Sequence, residues 1–357
     1  MPQVAIVIPN LNQEKLLRNC LQSLNQQIFT DFVIYVVDNG SIDNSVQMIK
    51  TEFPQVNVIE LETNTGFAYA SNQGIIQAVK DYQNHGLQFI CPLNNDIELD
   101  PNYLKIMAEA AHFFLAQEIK FGVLASKLLF KHDENLINTV GTLIQRDGSG
   151  MEKGFMEKDQ GQYDQIRSTF GSCAAAALYN LEMLEQIKFT SSQGINYFDN
   201  DFFAYYEDLD LNYRSRLLGY RAYFIPKAFG YHVHSATGRS FSAFKSFHVH
   251  RNQYFVLIKN FPWPFLILGL CLQPFRYFLL LISAFIGRGP SAELKKNTRG
   301  FEIFKIVFKS WYQVLKELPD LLKKRKQILK SRKVTWRQFN SWFKKYKASY
   351  KKMIFGS

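Results

Sequence analysis

The first hundred residues repeat one rhythm: a short β-branched and apolar run, a polar turn, then an apolar pattern of helical period. Val4 to Ile8 precedes a helical stretch ending near Gln26, and Phe32 to Val37 precedes one from Asp43 to Glu52. Val56 to Leu61 precedes Gly66 to Tyr82, and Leu87 to Cys91 follows. Strands this apolar, alternating with helices, predict an α/β fold whose mostly parallel sheet carries helices on both faces. Right-handed crossovers make such a sheet Rossmann-like. Ligands of these sheets collect at the carboxyl ends of the strands. Those ends are Pro9-Asn10-Leu11-Asn12, Asp38-Asn39-Gly40-Ser41, Thr63-Asn64-Thr65-Gly66 and Asn94-Asn95-Asp96, all polar loops.

Beyond Pro101 the pattern predicts a helix to about Gln117, then a less regular, glycine-containing region from Phe121 to Gly171 where substrate-specific elements belong. Regularity returns at Gly171 to Tyr179. It returns again at the acidic helix start Tyr206-Glu207-Asp208-Leu209-Asp210-Leu211, with Gly219 as a left-handed helix cap. A strand from Arg221 to Ile225 and a His-rich turn, Tyr231-His232-Val233-His234, complete this part. No repeat at solenoid spacing is visible.

The formal net charge of +11 invites a nucleic-acid reading until it is divided by position. From Arg288 onward there are 20 Lys/Arg against 4 Asp/Glu, leaving 22 against 27 in the first 287 residues. The basic character therefore belongs to the tail, and a slightly acidic body argues against nucleic acid as a partner. Cys20, Cys91, Cys173 and Cys271 are scattered without CxxC spacing, which suits a reducing compartment. The N-terminus lacks a basic leader and runs straight into a strand pattern, so a cytoplasmic location is expected. Phe261 to Gly287 is strongly apolar, but Pro262, Pro264, Pro274 and Arg276 interrupt it. A shallow insertion or a pair of short interfacial helices fits these breaks better than a clean span. Phe301 to Tyr312 and Leu315 to Leu329 then set aromatics and leucines beside Lys and Arg, densest at Lys323-Lys324-Arg325-Lys326. That is the pattern of basic amphipathic helices on anionic lipid, the alternative being a solvated helical face.

Each candidate motif has a chemical and a structural reading. Asp96, in Asn94-Asn95-Asp96-Ile97-Glu98, follows a buried strand, where a carboxylate suits a divalent cation held against a nucleotide diphosphate. Asn and Asp are equally favoured there as turn and helix-cap residues. Asp38 ends a strand, where it can accept hydrogen bonds from the imide or ribose of a uridine or thymidine nucleotide, a turn again being the alternative. The run from Asn64 to Gly74 lacks a GxGxxG fingerprint, and there is no Walker A sequence. Glu207 and Asp208 open a helix, where its dipole alone favours acids. Their chemical reading is general-base work on an acceptor hydroxyl, beside a wall of Phe202, Phe203, Tyr205 and Tyr206 for a sugar ring. His232 and His234, two apart after a strand, are candidate metal ligands or plain structural histidines.

Taken together, six blocks resemble glycosyltransferase family 2, the inverting GT-A enzymes, and more closely its bacterial rhamnosyltransferase-like branch. They are Val7-Ile8-Pro9-Asn10-Leu11-Asn12, Val37-Asp38-Asn39-Gly40-Ser41-Ile42-Asp43, and Asn64-Thr65-Gly66-Phe67 with Asn72 and Gly74. The others are Leu93-Asn94-Asn95-Asp96, Phe202 through Leu211, and His232 through Thr237. Their order and spacing hold across residues 3 to 260.

The resemblance implies that Pro9, Asn10, Asn12, Asp38 and Asn39 surround base and ribose, with Asn72 near the diphosphate and with Asn95 and Asp96 also binding the nucleotide sugar. Asp96 takes the place of the last acid of the DXD-type motif, and its two predecessors are Asn here. His232, or alternatively His234, takes the further position on Mg²⁺ or Mn²⁺. Asp208, paired with Glu207, takes the place of the base. The implied reaction moves L-rhamnose from dTDP-rhamnose to a lipid-linked saccharide in cell-surface polysaccharide synthesis. It would run on the cytoplasmic face of the membrane, with the chain peripheral or monotopic at an anionic surface. A UDP-hexose transferase of the same fold is the alternative, and from another class a non-catalytic basic protein binding membrane or nucleic acid. The expected division is a GT-A catalytic domain over 1–260 (donor half 1–120, acceptor half 121–260), an apolar membrane-associating segment over 261–287 and a basic helical tail over 288–357.

Overall fold

The computed structural model describes residues 1–191, 194–233, 242–297 and 300–356. Two compact units share the chain. One comprises Met1–Thr142, Glu152–Phe203 and Tyr220–Thr237; the other comprises Leu143–Met151, Ala204–Gly219 and Gly238–Ser357. The units cut across the expected boundary at residue 260, because the acidic helix and the tail belong to the same one.

The first unit opens as the apolar rhythm requires: β1 (Val4–Asn10), α1 (Glu14–Asn25), β2 (Phe32–Asp38), α2 (Ser45–Glu52), β3 (Asn57–Glu60), α3 (Gly66–Tyr82) and β4 (Phe89–Pro92). Strands β3, β2, β1 and β4 lie side by side in that order and run parallel. Val4 through Ile8 are wholly buried, and α1 covers one face with Leu17, Cys20, Leu21 and Leu24, the spacing of one helical stripe. Each Val, Leu and Ile among them contributes about 1.5–3 kcal/mol by leaving water. On the other face α3 presses so close that a Cβ on Gly74 would lie 2.4 Å from Val7 Cγ1. Glycine there sets the depth at which the helix packs.

Then come β5 (Ile97–Leu99), α4 (Tyr103–Ala116), β6 (Phe121–Phe130), β7 (Asp133–Thr139), β8 (Thr142–Ile144), β9 (Gly150–Glu152), β10 (Arg167–Thr169), β11 (Ala177–Asn180) and α5 (Leu181–Ile187). A small hairpin of β12 (Phe189–Ser191) and β13 (Gly194–Asn196) and a 3₁₀ turn at Asn200–Phe202 precede β14 (Arg221–His232). The central sheet extends to ten strands in the order β10-β14-β6-β11-β4-β1-β2-β3, with β5 on β14 and β7 on β6. It is mostly parallel, and β11 enters antiparallel between β4 and β6. The expected His-rich turn is instead the end of β14. A register shift between Ile225 and Phe229, around Pro226 with its missing N–H, lets the strand resume its pairing with β6 as far as His232.

Apart from 143–151, which carries most of β8 and β9, the second unit is helical: α6 (Glu207–Leu217), α7 (Ala243–Asn260), α8 (Trp263–Ile286), α9 (Pro290–Asn297), α10 (Gly300–Lys330), α11 (Trp336–Lys345) and α12 (Tyr350–Phe355). All nine residues from Leu209 to Leu217 are buried, so α6 is enclosed on all sides. Its Asp210 accepts from Arg214 Nε at 2.8 Å, Lys259 Nζ at 2.8 Å and Asn260 Nδ2 at 2.8 Å. Tyr213 of α6 packs on Phe261, and Phe261, Phe265, Trp342 and Phe343 gather round Phe339. The basic tail thus completes a core around α6. Helix α8 is one continuous helix across Pro274, so of the two expected arrangements, a shallow insertion or a pair of short interfacial helices, the pair is not formed; it stops at Gly287 with φ +73°.

Candidate active site

The carboxyl ends of β1 and β2 lie level, with Asn10 opposite Asp38. Asn10 Nδ2 donates to Asp38 Oδ1 (3.3 Å) and Ser41 Oγ (3.4 Å), while its Oδ1 accepts from Asn95 Nδ2 at 2.7 Å. Asp38 Oδ2 accepts from the backbone of Ser41 at 2.9 Å, closing the turn after β2. Each Asp38 oxygen thus accepts one bond, and a carboxylate has room for about four. Asn12 caps the same turn through Ile42 N (2.8 Å), and its φ of +50° is a conformation asparagine tolerates. Pro9 lies one residue before this cluster, in register with Val37. Both readings of Asp38, turn and ligand acceptor, are compatible with one arrangement: the turn bonds hold the carboxylate at the strand end.

Asn39 ties this cluster to the next strand end. Its Oδ1 accepts from Thr65 N and Thr65 Oγ1, each at 2.9 Å, and its Nδ2 donates to Asn64 Oδ1 at 3.2 Å. Gly66 follows at φ +84°, and a Cβ there would fall 2.5 Å from the carbonyl of Phe203. Asn72 is set apart from these residues. Its buried amide donates to Phe198 O and Asn200 Oδ1, both at 2.7 Å, and accepts from Tyr197 N and Phe198 N, both at 3.0 Å. Asn72, expected near the diphosphate, braces the chain from 197 to 200 through these four bonds.

Asp96 and His232 come together because Ile97 pairs with His232 across β5 and β14. Asp96 Oδ1 stands 3.2 Å from His232 Nε2, and both side chains are nearly buried. The other ring nitrogen, Nδ1, lies 3.0 Å from Asn138 Oδ1 on β7, a partner that fixes the ring when Nδ1 carries the proton. Asn138 escaped the sequence reading because it lies in an irregular stretch with no motif around it. His234 lies outside the described residues.

One carboxylate oxygen and one imidazole nitrogen at this separation fit a divalent cation that borrows its remaining ligands from a diphosphate, and imidazole favours Mn²⁺ over Mg²⁺. Among the described residues no cluster of three His, Cys, Asp or Glu side chains gathers to hold a metal by itself.

Glu207 and Asp208 open α6 in the second unit. Burial, and secondly the charge of Asp208, hold the Glu207 carboxyl well above the usual carboxylate range, and its Oε2 has no hydrogen-bond partner among the described residues. The chain enters this helix through Phe203, Tyr205 and Tyr206, with φ of +63°, +67° and +72°. Left-handed conformations cost bulky residues about 1–3 kcal/mol each and concentrate at functional sites. Asn252 of α7, absent from the sequence reading, donates to both Ala204 O (2.9 Å) and Tyr205 O (2.6 Å). Its position in the polar run Arg251-Asn252-Gln253, just before the apolar Tyr254 to Ile258, gave no sequence signal that set it apart.

A mostly parallel α/β sheet whose strand ends gather Asn10, Asp38, Asn39 and Asn95 beside an Asp–His pair, followed by a helical C-terminal extension, is a GT-A fold. The description "Glycosyl transferase family 2" matches residues 5–187, and the chain belongs to that family. Over 83 residues it is 32% identical to the uncharacterized glycosyltransferase YibD of Escherichia coli (strain K12), covering 22% of this chain and 24% of that protein. Over 86 residues it is 30% identical to the teichoic acid poly(glycerol phosphate) polymerase of Staphylococcus epidermidis, covering 23% of this chain and 12% of that protein. The chain thus spans about a quarter or less of the length of these curated relatives. Among solved structures it is similar to the mannosyltransferase PcManGT from Pyrobaculum calidifontis in complex with GDP-Man and Mn²⁺. That match has 14% identity, 93% of this chain and 86% of that chain, and a TM-score of 0.47.

Proposed function

We propose that the chain is an inverting glycosyltransferase that moves L-rhamnose from dTDP-rhamnose to a lipid-linked saccharide acceptor in cell-surface polysaccharide synthesis. The observation that carries the transferase reading is the strand-end cluster of Asn10, Asp38, Asn39 and Asn95, continuous with Asp96 and His232. Asp38 and its neighbours take the base and ribose. Asp96 and His232 hold a divalent cation, which supplies Lewis-acid neutralisation of the departing diphosphate. Asp208 accepts the proton of the acceptor hydroxyl as its oxygen bonds to the anomeric carbon and the carbon–oxygen bond to the diphosphate breaks. A single displacement inverts the configuration. Burial, and secondly the charge of Asp208, raise the Glu207 carboxyl well above the ordinary range, which supports Asp208 as the charged member of the pair.

The test is a donor panel: dTDP-rhamnose, UDP-hexoses and GDP-mannose with Mg²⁺ or Mn²⁺, reading released nucleoside diphosphate. Release from dTDP-rhamnose above every other donor is expected. Preference for a UDP-hexose would overturn the donor, and no release from any, with or without acceptor lipid, would support a non-catalytic scaffold.

The membrane reading is supported by the two sides of α8, which by length and composition alone could cross a bilayer. One side is tied to protein: Gln273 Nε2 donates to Asp147 O (2.8 Å), Arg276 Nε stands 3.5 Å from Asp147 Oδ2, and Ser283 Oγ donates to Ile354 O (2.9 Å). The other side exposes Ile267, Leu270, Phe278, Leu281 and Phe285. Helix α10 exposes Phe304, Phe308, Trp311 and Leu315 at helical spacing among lysines, and Trp311 adjoins Tyr277 of α8 at 5.7 Å. An apolar face with a basic rim suits monotopic binding to the anionic cytoplasmic leaflet. In flotation with anionic vesicles, Phe278→Glu with Leu281→Glu should reduce the bound fraction by about tenfold; unchanged flotation would remove this face from the account.

A further inference from the structure

We infer that Asn252 is a positioning residue that holds the strained turn before α6 in the one conformation that sets Asp208 for proton transfer. The inference rests on the proposed role of Asp208 and deepens it.

Tyr205 and Tyr206 have left-handed backbones, yet neither is Gly or Asn, so nothing in their own chemistry selects that conformation. The selection comes from α7. Asn252 is fully buried, and its single amide nitrogen donates to the consecutive carbonyls of Ala204 and Tyr205. Its orientation is not free to reverse, because its oxygen accepts from Arg251 Nε at 2.8 Å. Arg251 is in turn nearly buried between the rings of Phe247 and Phe255, at 5.5 Å and 5.0 Å. The amide therefore presents its donor side to the turn by construction. Tyr206 is the residue from which α6 starts, and its carbonyl accepts from Asp210 N at 2.9 Å. The direction of the first helical turn, on which Glu207 and Asp208 sit, follows from the dihedrals of Tyr205 and Tyr206. An amide clamp that forces two tyrosines into this conformation, immediately before two acids, is pre-organisation of those acids.

The test is a double-mutant cycle of Asn252→Leu with Tyr205→Gly, since glycine adopts φ +67° without strain and has less need of the clamp. Purified variants are compared for kcat, for donor Kd and for Tm. Asn252→Leu is expected to lower kcat about 50-fold with donor Kd within about threefold, and to cost no more than about threefold in kcat when Tyr205 is already Gly. Should Asn252→Leu fail to fold, Asn252→Ser replaces it in the same cycle. An equal fold-loss in kcat with and without Tyr205→Gly overturns the proposal. So does a Tm coupling unaccompanied by a kcat coupling, which would make the clamp structural only. Asp208→Asn is assayed in parallel: wild-type turnover there overturns the base reading itself, whatever the cycle shows.

Discussion

In the sheet unit, polar side chains gather where the strands end. At this rim Asn10 bonds to Asp38 and Asn95, Asn39 bonds to Asn64 and Thr65, and the turn bonds leave Asp38 acceptor capacity to spare. In the helical unit, charge lies in the interior: Asp210, Arg214 and Lys259 are buried, and the chain before Glu207 is bent into left-handed tyrosines. The first unit positions chemistry by topology, since any residue at a parallel strand's carboxyl end arrives at the same edge. The second does so by tertiary capture, with buried bonds from distant segments overriding local preference. Removing one bond should therefore do modest local damage at the rim and large damage in the helical unit.

Asp210→Asn probes the second half of that contrast most severely. It leaves Arg214 and Lys259 buried without their carboxylate, and breaking a buried pair costs about 3–5 kcal/mol. A fall in Tm of roughly 10 °C is expected in thermal unfolding; a change under about 2 °C would mean that this charge does not hold the unit together.

Glu207→Gln is a smaller and pH-dependent probe. A carboxyl whose folded pKa is raised contributes stability that is fully present below its unfolded pKa, about 4.3, and is lost as pH rises through the folded value. The glutamine variant lacks that loss. Its Tm relative to wild type should therefore climb from pH 5 to pH 8, and a flat difference would show that burial does not hold the Glu207 proton.

The same contrast explains what could be read from the sequence. β1 through β4 and the helices between them follow from apolar rhythm because neighbours in sequence are neighbours in the sheet, so the strand-end residues were found at once. β11 was located but not its antiparallel direction, which depends on where the chain returns rather than on its own residues. The continuation of β14 to His232 was hidden by Pro226, whose missing donor a register shift absorbs. The bond from Asn138 to His232 spans 94 residues and that from Asn252 to Ala204 spans 48, and no local pattern announces either. The bracing bonds of Asn72 to residues 197–200 were equally hidden, because they join positions about 125 apart in the chain. The tail looked like an appendage because its charge is exposed, whereas Phe339 and Phe343 are core residues beside α6.

The central claim is that a sugar leaves its diphosphate for an acceptor hydroxyl whose proton Asp208 takes. The most direct measurement compares wild type with Asp208→Asn for release of dTDP from dTDP-rhamnose in the presence of acceptor lipid, alongside donor affinity by calorimetry. Turnover lower by about 1,000-fold with donor Kd within about threefold is expected, since the loss of a general base lies in the range of 10²–10⁴. Near-normal turnover in the variant would contradict the account.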